Sequence, residues 1–253
     1  MYDFSTQKAM LDATLILLEE NNLLEVSALG GGTALASYYW NHRYSTDIDI
    51  FIYANENKTH LLKPSNWSSK VKTLMEDIGY DGNFRHNDIY TEIVIDKDCK
   101  IQFFDVIKKS ITPYTPVKLW EKELLIDTVE EIIAKKIYYR GDIGNARDLF
   151  DIAIALHKEP NIFTKTLLKK EKIIALYKTV LNINNNEDLR ESYLEEIKLM
   201  SPQEEYKKLS TNTIRYLTLF LENICGAYDI GYDLSNEEYI AIENEIYATV
   251  LKN

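Results

Sequence analysis

Two aspartates spaced one residue apart in an apolar run constrain the fold of this chain more than any other feature. The run Asp47-Ile48-Asp49-Ile50-Phe51 alternates polar and apolar residues, which is typical of a strand with one buried face. Asp47 and Asp49 then project from the same face, while Ile48 and Ile50 point into a core. Two neighbouring acids repel each other unless a cation neutralises them, and oxygen ligands suit Mg2+ or Mn2+. The run therefore predicts a strand that carries a divalent cation.

A glycine-rich turn, Gly31-Gly32-Thr33, precedes the acids and leads into a short helical segment. Glycines let backbone N–H groups approach a phosphate closely, and the N-terminus of a helix favours an anion. The Thr33 hydroxyl is a further candidate phosphate ligand. Arg43 and Ser45 stand just upstream of the acids, where Arg43 would either steady the strand by a charge-assisted hydrogen bond or contact a triphosphate. Turn and acids together predict metal-dependent chemistry on a nucleotide.

Composition excludes several classes of protein. The 253 residues are 45% hydrophobic, which is sufficient for a packed core, and the net charge of −11 argues against a generic nucleic-acid binder. Cys99 and Cys225 are far apart in the sequence and lack metal-ligand spacing, so we expect reduced thiols. No signal-peptide pattern and no apolar run of membrane-spanning length is present in the sequence. We therefore expect a soluble, cytoplasmic protein with no membrane partner.

The predicted elements divide the chain into a mixed part and a helical part. Strands and helices alternate up to about residue 120, Pro113 and Pro116 mark a boundary, and only helical periodicity follows Asp127. We predict an α+β fold, with a mixed sheet flanked by helices in residues 1–120 and a helical bundle in residues 121–253.

A third carboxylate, Asp105, lies in the apolar segment Phe103–Val106. A lone acid in such a strand is costly if it is buried without a partner, and its ordinary partner would be a nearby lysine or arginine. Beside Asp47 and Asp49, shared metal binding is the preferred interpretation. Three carboxylates would hold two metal ions, one to activate an attacking hydroxyl and one to steady the triphosphate. Asp105 would be the ligand nearest to the hydroxyl and a candidate base.

These motifs together resemble the polymerase-β-like nucleotidyltransferase superfamily. The sequence GGTALA followed by RYSTDIDIF is similar to the AbiE-type (AbiEii-like) abortive-infection toxins, as are a helix over residues 127–137 and the segment RDLFD at residues 147–151. The resemblance covers about residues 29–156. It implies a polymerase-β-like catalytic domain, a helical domain that closes the nucleotide cleft, and transfer of a nucleoside monophosphate from an NTP with release of pyrophosphate.

The resemblance also implies roles for residues of the helical part. Lys136 is best matched to the family lysine that binds the triphosphate, and Lys135 is the alternative within the same run. Arg140 lies one turn beyond Lys136 and would reach phosphate or RNA, or pair with an acid. Asp148 would orient Lys136 or the nucleotide base.

Structural interpretations of the same helices stay open. Arg147 and Asp151 are four residues apart and would form an intrahelical ion pair. A cluster of lysines further along is either a solvated helix face or a rim that binds tRNA. Its members are Lys165, Lys169, Lys170, Lys172 and Lys178.

The acceptor is implied by the resemblance alone. It would be RNA, with the 3′ end of tRNA as the first candidate, and the toxic outcome would be restrained by a cognate antitoxin. The residues themselves leave two alternatives open. One is a nucleotidyltransferase that acts on a small molecule or a protein hydroxyl, and the other is a non-catalytic nucleotide-binding module.

Overall fold

The computed structural model describes residues 2–252 and divides into two compact units. The first unit comprises the chain up to residue 108 together with residues 114–128. The second comprises residues 109–113 and the chain from residue 129 onward. Within the described residues, none of the helices combines the length and the apolar character needed to span a membrane.

A mixed sheet forms the centre of the first unit. Its strands are β1 (Ser27–Gly30), β2 (Ile48–Ile52), β3 (Phe84–His86), β4 (Tyr90–Val94), β5 (Lys100–Asp105), β6 (Tyr114–Leu119) and β7 (Lys122–Asp127). They lie in the order β3-β4-β5-β2-β1-β7-β6. The pairs β1–β7 and β2–β5 are parallel, and the other neighbours are antiparallel. The predicted α+β class with a mixed sheet is confirmed.

Three helical segments accompany the sheet in the first unit. They are α1 (Ser5–Glu20), α2 (Gly31–Ala34), which continues as a π-helical segment (Leu35–Trp40), and α3 (Ser69–Asp77). Strand β2 buries Ile48, Ile50 and Ile52 completely, and α1 packs on both β2 and α3. The opposite face carries Phe51 stacked on Phe104. Strand β2 is thus anchored by its isoleucines, and its alternate residues point to the other face.

The sheet extends past the predicted boundary at residue 120. Strand β7 pairs with β1 in parallel, so the segment up to Asp127 belongs to the sheet and not to the helical part. Pro113 ends the segment of the second unit at residues 109–113, so a boundary between units does lie beside it, whereas Pro116 lies within the edge strand β6. Pro116 lies in β6, opposite Leu125, and proline is tolerated there because an edge strand leaves one side of its backbone unpaired.

The second unit is helical, as predicted for the chain after Asp127. Its helices are α4 (Val129–Arg140), α5 (Ala146–Lys158), α6 (Lys170–Asn185), α7 (Glu187–Leu199), α8 (Lys207–Asp229), α9 (Asn236–Ile246) and a π-helical segment (Tyr247–Leu251). Helix α8 supplies much of the core through Tyr216, Leu217, Phe220, Leu221 and Ile224, which are all completely buried. Ser235 and Glu238 form a capping box at the start of α9.

Candidate active site

The two acids of the opening motif lie at the start of β2. Asp47 immediately precedes the strand and Asp49 is its second residue. Both side chains are half-buried, whereas Ile48 and Ile50 between and beyond them are completely buried. This alternation matches the expected arrangement, in which both carboxylates lie on the side of the strand away from the isoleucine core. Their binding of a metal ion stays a prediction.

The glycines of the turn are packed against the functional side chains themselves. Gly31 has a φ of +65°, and a Cβ at this position would overlap the carboxylate of Asp49. A Cβ on Gly32 would lie 2.5 Å from Nη2 of Arg43 and 3.0 Å from Oγ of Ser45. Glycine is therefore required here because Asp49 and Arg43 lie directly on the backbone of the turn. The sequence suggested a different reason, which was close approach of a phosphate.

Thr33 and Arg43 are both withdrawn from solvent. Thr33 is completely buried, and its hydroxyl donates to the Asp47 carbonyl and lies 3.0 Å from Ser45 Oγ. This geometry does not support the predicted phosphate contact of the hydroxyl, which instead ties the turn to the start of the acidic strand. Arg43 is 2% exposed and donates to the Tyr44 carbonyl, so its burial favours the strand-steadying role over contact with a triphosphate.

Asp105 does not join the other two acids. Strands β2 and β5 are paired so that Asp49 lies opposite Gln102 and Ile52 lies opposite Asp105. Residues opposite each other in a sheet point to the same face, so Asp105 projects from the isoleucine face. Across residues 2–252, no three acid, histidine or cysteine side chains are grouped so as to hold a metal ion. The expected third metal ligand is therefore a wrong assignment.

The Asp105 carboxylate instead anchors a loop. It accepts hydrogen bonds from the backbone N–H groups of Lys58 and Thr59, at 2.8 and 3.0 Å, and from the Thr59 hydroxyl at 2.8 Å. These donors open the 3-10 turn Thr59–Leu62. Hydrogen bonds from protein groups, and not an ion pair with lysine or arginine, satisfy this acid.

Gln102 is the residue of β5 that lies beside Asp49, and sequence reasoning missed it. Its Nε2 donates to Oε2 of Glu92 at 2.8 Å, and Glu92 lies opposite it in β4. Glu92 is almost completely buried, with Lys100 at 3.1 Å and Arg85 at 3.3 Å. Only the register of β2 on β5 identifies this position, because the sequence around Gln102 carries no chemical motif.

Asp127 is a second residue near Asp49 that the sequence motifs did not indicate. It is completely buried, and its Oδ1 accepts a hydrogen bond from the Tyr53 hydroxyl at 2.7 Å. Its carboxylate lies directly against Gly30, which pairs with Asp49 across β1 and β2. The alternation of residues along β7, which ends in this acid, is the sequence signal that would have identified Asp127.

Charged residues of the second unit form a separate buried cluster. Lys136 Nζ lies 2.5 Å from Asp148 Oδ1 and 3.0 Å from Asp151 Oδ2, and all three side chains are at most 8% exposed. Arg140 Nε lies 2.9 Å from Asp148 Oδ2, with its side chain 53% exposed. The structure thus brings Lys136, Arg140 and Asp148 together. Two cations and two anions balance, as buried charges require.

The neighbours of these residues have other roles. Lys135 points to Glu131, at 3.5 Å, and both are buried, so the two adjacent lysines have different partners. Arg147 is exposed, and within the described residues no carboxylate lies within 4 Å of its guanidinium. The expected Arg147–Asp151 ion pair is wrong, because Asp151 is turned towards Lys136.

Comparison with solved structures supports the fold. A Helicobacter pylori crystal structure, described as a candidate nucleotidyltransferase, is 16% identical with a TM-score of 0.53, covering 91% of this chain and 98% of that chain. The crystal structure of JHP933 from Helicobacter pylori is also 16% identical, with a TM-score of 0.46, covering 88% of this chain and 97% of that chain. No curated protein matches this chain.

Comparison with protein-family models identifies the family. The model described as nucleotidyl transferase AbiEii toxin, type IV toxin–antitoxin system, matches residues 15–223. That range includes the glycine turn, the acidic strand and the buried lysine–aspartate cluster. The chain therefore belongs to the AbiEii nucleotidyltransferase toxin family of type IV toxin–antitoxin systems.

Proposed function

We propose that this nucleotidyltransferase transfers a nucleoside monophosphate from an NTP to RNA, with the 3′ end of tRNA as the first candidate acceptor. An acceptor hydroxyl oxygen would bond to the α-phosphorus while the bond to pyrophosphate breaks, and the hydroxyl proton would leave to solvent or a base. Membership of the family implies an NTP substrate and a cognate antitoxin. The observation that carries the proposal is the pair of half-buried acids packed on a glycine turn.

Asp47 and Asp49 are the proposed ligands of a divalent cation. Nucleotide sites hold Mg2+ through one or two carboxylates together with substrate phosphates, so this pair is sufficient for one ion. The two-ion scheme needed Asp105, which lies on the opposite face. Mg2+ or Mn2+, when bound, would neutralise phosphate charge and polarise the reacting phosphoryl group.

Each unit has its own candidate phosphate-binding groups. In the turn, the backbone N–H groups of Gly31 and Gly32 are the candidates, because the Thr33 hydroxyl is buried. In the second unit, Lys136 would act as a point charge held in place by Asp148, and Arg140 is the more exposed cation.

The test is incubation of the full chain with each labelled NTP, Mg2+ or Mn2+, and total cellular RNA. We expect label in RNA, identified by sizing and sequencing, and loss of that label in Asp47→Asn. Asp98→Asn is the matched control, because Asp98 is an exposed acid on a hairpin turn. Label only in small molecules or in protein would contradict the RNA acceptor, and absence of NTP binding would contradict the proposed site.

A further inference from the structure

Two lysine side chains converge on one tyrosine ring in the second unit. Lys109 Nζ lies 3.7 Å and Lys172 Nζ lies 4.8 Å from the ring centre of Tyr138. The adjacent Tyr139 ring is 5.5 Å from Lys109 Nζ and meets Tyr138 edge-on. Tyr138 is 38% and Tyr139 is 52% exposed. These four residues, Tyr138, Tyr139, Lys109 and Lys172, are called the tyrosine–lysine surface below.

The acid beside this surface, Glu131, contacts the backbone N–H of Lys109 and the ammonium group of Lys135. Within residues 2–252, no carboxylate lies within 4 Å of the ammonium group of Lys109 or Lys172. Lys170 provides an internal comparison, because it also lies over a tyrosine ring, that of Tyr228, but has Asp233 at 2.7 Å. Two ammonium groups beside one ring repel each other, and bound phosphate anions would offset that repulsion.

The backbone around Lys109 is held firmly in place. Its N–H donates to both carboxylate oxygens of Glu131, at 3.0 and 2.8 Å, and its carbonyl accepts from the N–H of Leu167 at 2.7 Å. Glu131 is completely buried in α4, seven residues before Tyr138 in the same helix. Lys172 lies in the first turn of α6. The lysines are therefore presented from fixed elements, which reduces the entropy lost when a ligand binds.

We propose that the tyrosine–lysine surface binds single-stranded RNA, with one backbone phosphate on Lys109, another on Lys172 and a base stacked on Tyr139. Single-strand binding sites combine cations that follow the backbone with aromatic rings that accept bases of any sequence. The lysines occupy the Tyr138 ring, whereas the Tyr139 ring is the more exposed. A chain with a net charge of −11 needs such a local positive surface to hold a polyanion. The inference rests on the proposed RNA acceptor.

The test is binding of the full chain to a fluorescent single-stranded RNA of about 12 nucleotides, which is within the length of one single-strand site. We expect Lys109→Ala/Lys172→Ala to weaken binding and to reduce the slope of log K against log salt concentration by about 1.4, or about 0.7 per phosphate contact. Lys170→Ala should change neither quantity. Tyr139→Ala should weaken binding about 5- to 100-fold, whereas Tyr139→Phe, which keeps the ring, should bind normally. Circular dichroism verifies folding of each variant.

The outcomes separate this inference from the proposed function. Label transfer to RNA with a raised RNA KM and unchanged kcat in the double-lysine variant would support both. Normal RNA binding by that variant would overturn the surface, while label transfer by the wild type would leave the RNA acceptor intact. Binding of an acidic peptide in preference to RNA would also overturn it, and would assign the surface to a protein partner.

Discussion

The acids of the first unit and the lysine–aspartate cluster of the second unit differ in their burial and in the groups around their charges. Asp47 and Asp49 are half-buried and lie next to backbone, with Asp49 directly on Gly31. Lys136 and Asp151 are buried and lie 3.0 Å apart, so each satisfies the other. The first pair is the proposed cation site, whereas each charge of the second cluster lies against an opposite charge. Substitution of Asp49 should therefore affect mainly activity, whereas substitution of Lys136 should affect stability in addition to its proposed phosphate contact.

The largest effect on stability is expected at Lys136. Lys136→Met removes the ammonium group that lies against the buried carboxylates of Asp148 and Asp151, so the free energy of unfolding should fall by about 3–5 kcal/mol in urea titrations. Arg147→Met is the control, because Arg147 is exposed, and it should change stability by less than about 0.5 kcal/mol. Equal stability of the two variants would show that the buried cluster is not a structural unit.

The reverse result is expected at Asp49. Asp49→Asn should lower label transfer by a factor on the order of 100 or more, because one of two proposed cation ligands is lost. Its free energy of unfolding should change by less than about 1 kcal/mol, since the side chain is half-buried and the amide has nearly the same size as the carboxylate. A large loss of stability with normal activity in the remaining folded protein would reverse the comparison.

Asp105 tests whether the position of a carboxylate, and not its presence, decides its role. Asp105→Asn places an amide against the N–H donors of Lys58 and Thr59 and should destabilise the chain by about 1–2 kcal/mol. Activity per folded molecule should be retained, because this acid lies on the opposite face from Asp49. A loss of activity as large as that of Asp49→Asn would place Asp105 with the reacting groups after all.

The smallest effect concerns one buried thiol in each unit. Burial raises the pKa of Cys99 and of Cys225 to about 11, from the ordinary value of 9.0. At pH 9 the folded chain should therefore react with iodoacetamide more slowly than the urea-unfolded chain. Because ionisation favours the unfolded state, stability should also fall as pH rises from about 9 to 11. Alkylation followed by mass spectrometry measures the labelling rate of each thiol separately. Faster labelling of one thiol would identify the unit that unfolds locally more often.

Local sequence patterns predicted the secondary structure, which depends on residues that are close together in the sequence. The alternation around Ile48 predicted a half-buried strand, and the helical periodicity after Asp127 predicted a helical unit. Lys136 and Asp148 were linked through the resemblance to a family, and the structure places them in contact. The role of each group in catalysis stays a prediction.

Features that depend on strand register or on burial were not predictable. The face on which Asp105 lies follows from the pairing of β2 with β5, and a shift of one residue would have moved it to the Asp49 side. Whether Thr33 is exposed depends on how the turn folds over the Asp47 carbonyl. Neither the face on which Asp105 lies nor the burial of Thr33 leaves a periodic signal in the sequence.

The short segment 109–113 makes both units of the chain discontinuous in sequence. It lies between two stretches of the first unit in sequence, yet it belongs to the second. Its Lys109 N–H and its Ser110 hydroxyl, at 2.7 Å, satisfy the buried carboxylate of Glu131. A single cut after residue 128 would separate these donors from Glu131 and remove three hydrogen bonds from its buried carboxylate. Neither unit is therefore one continuous piece of the chain, and a fragment that begins at residue 129 would lack the donors that hold the Glu131 carboxylate.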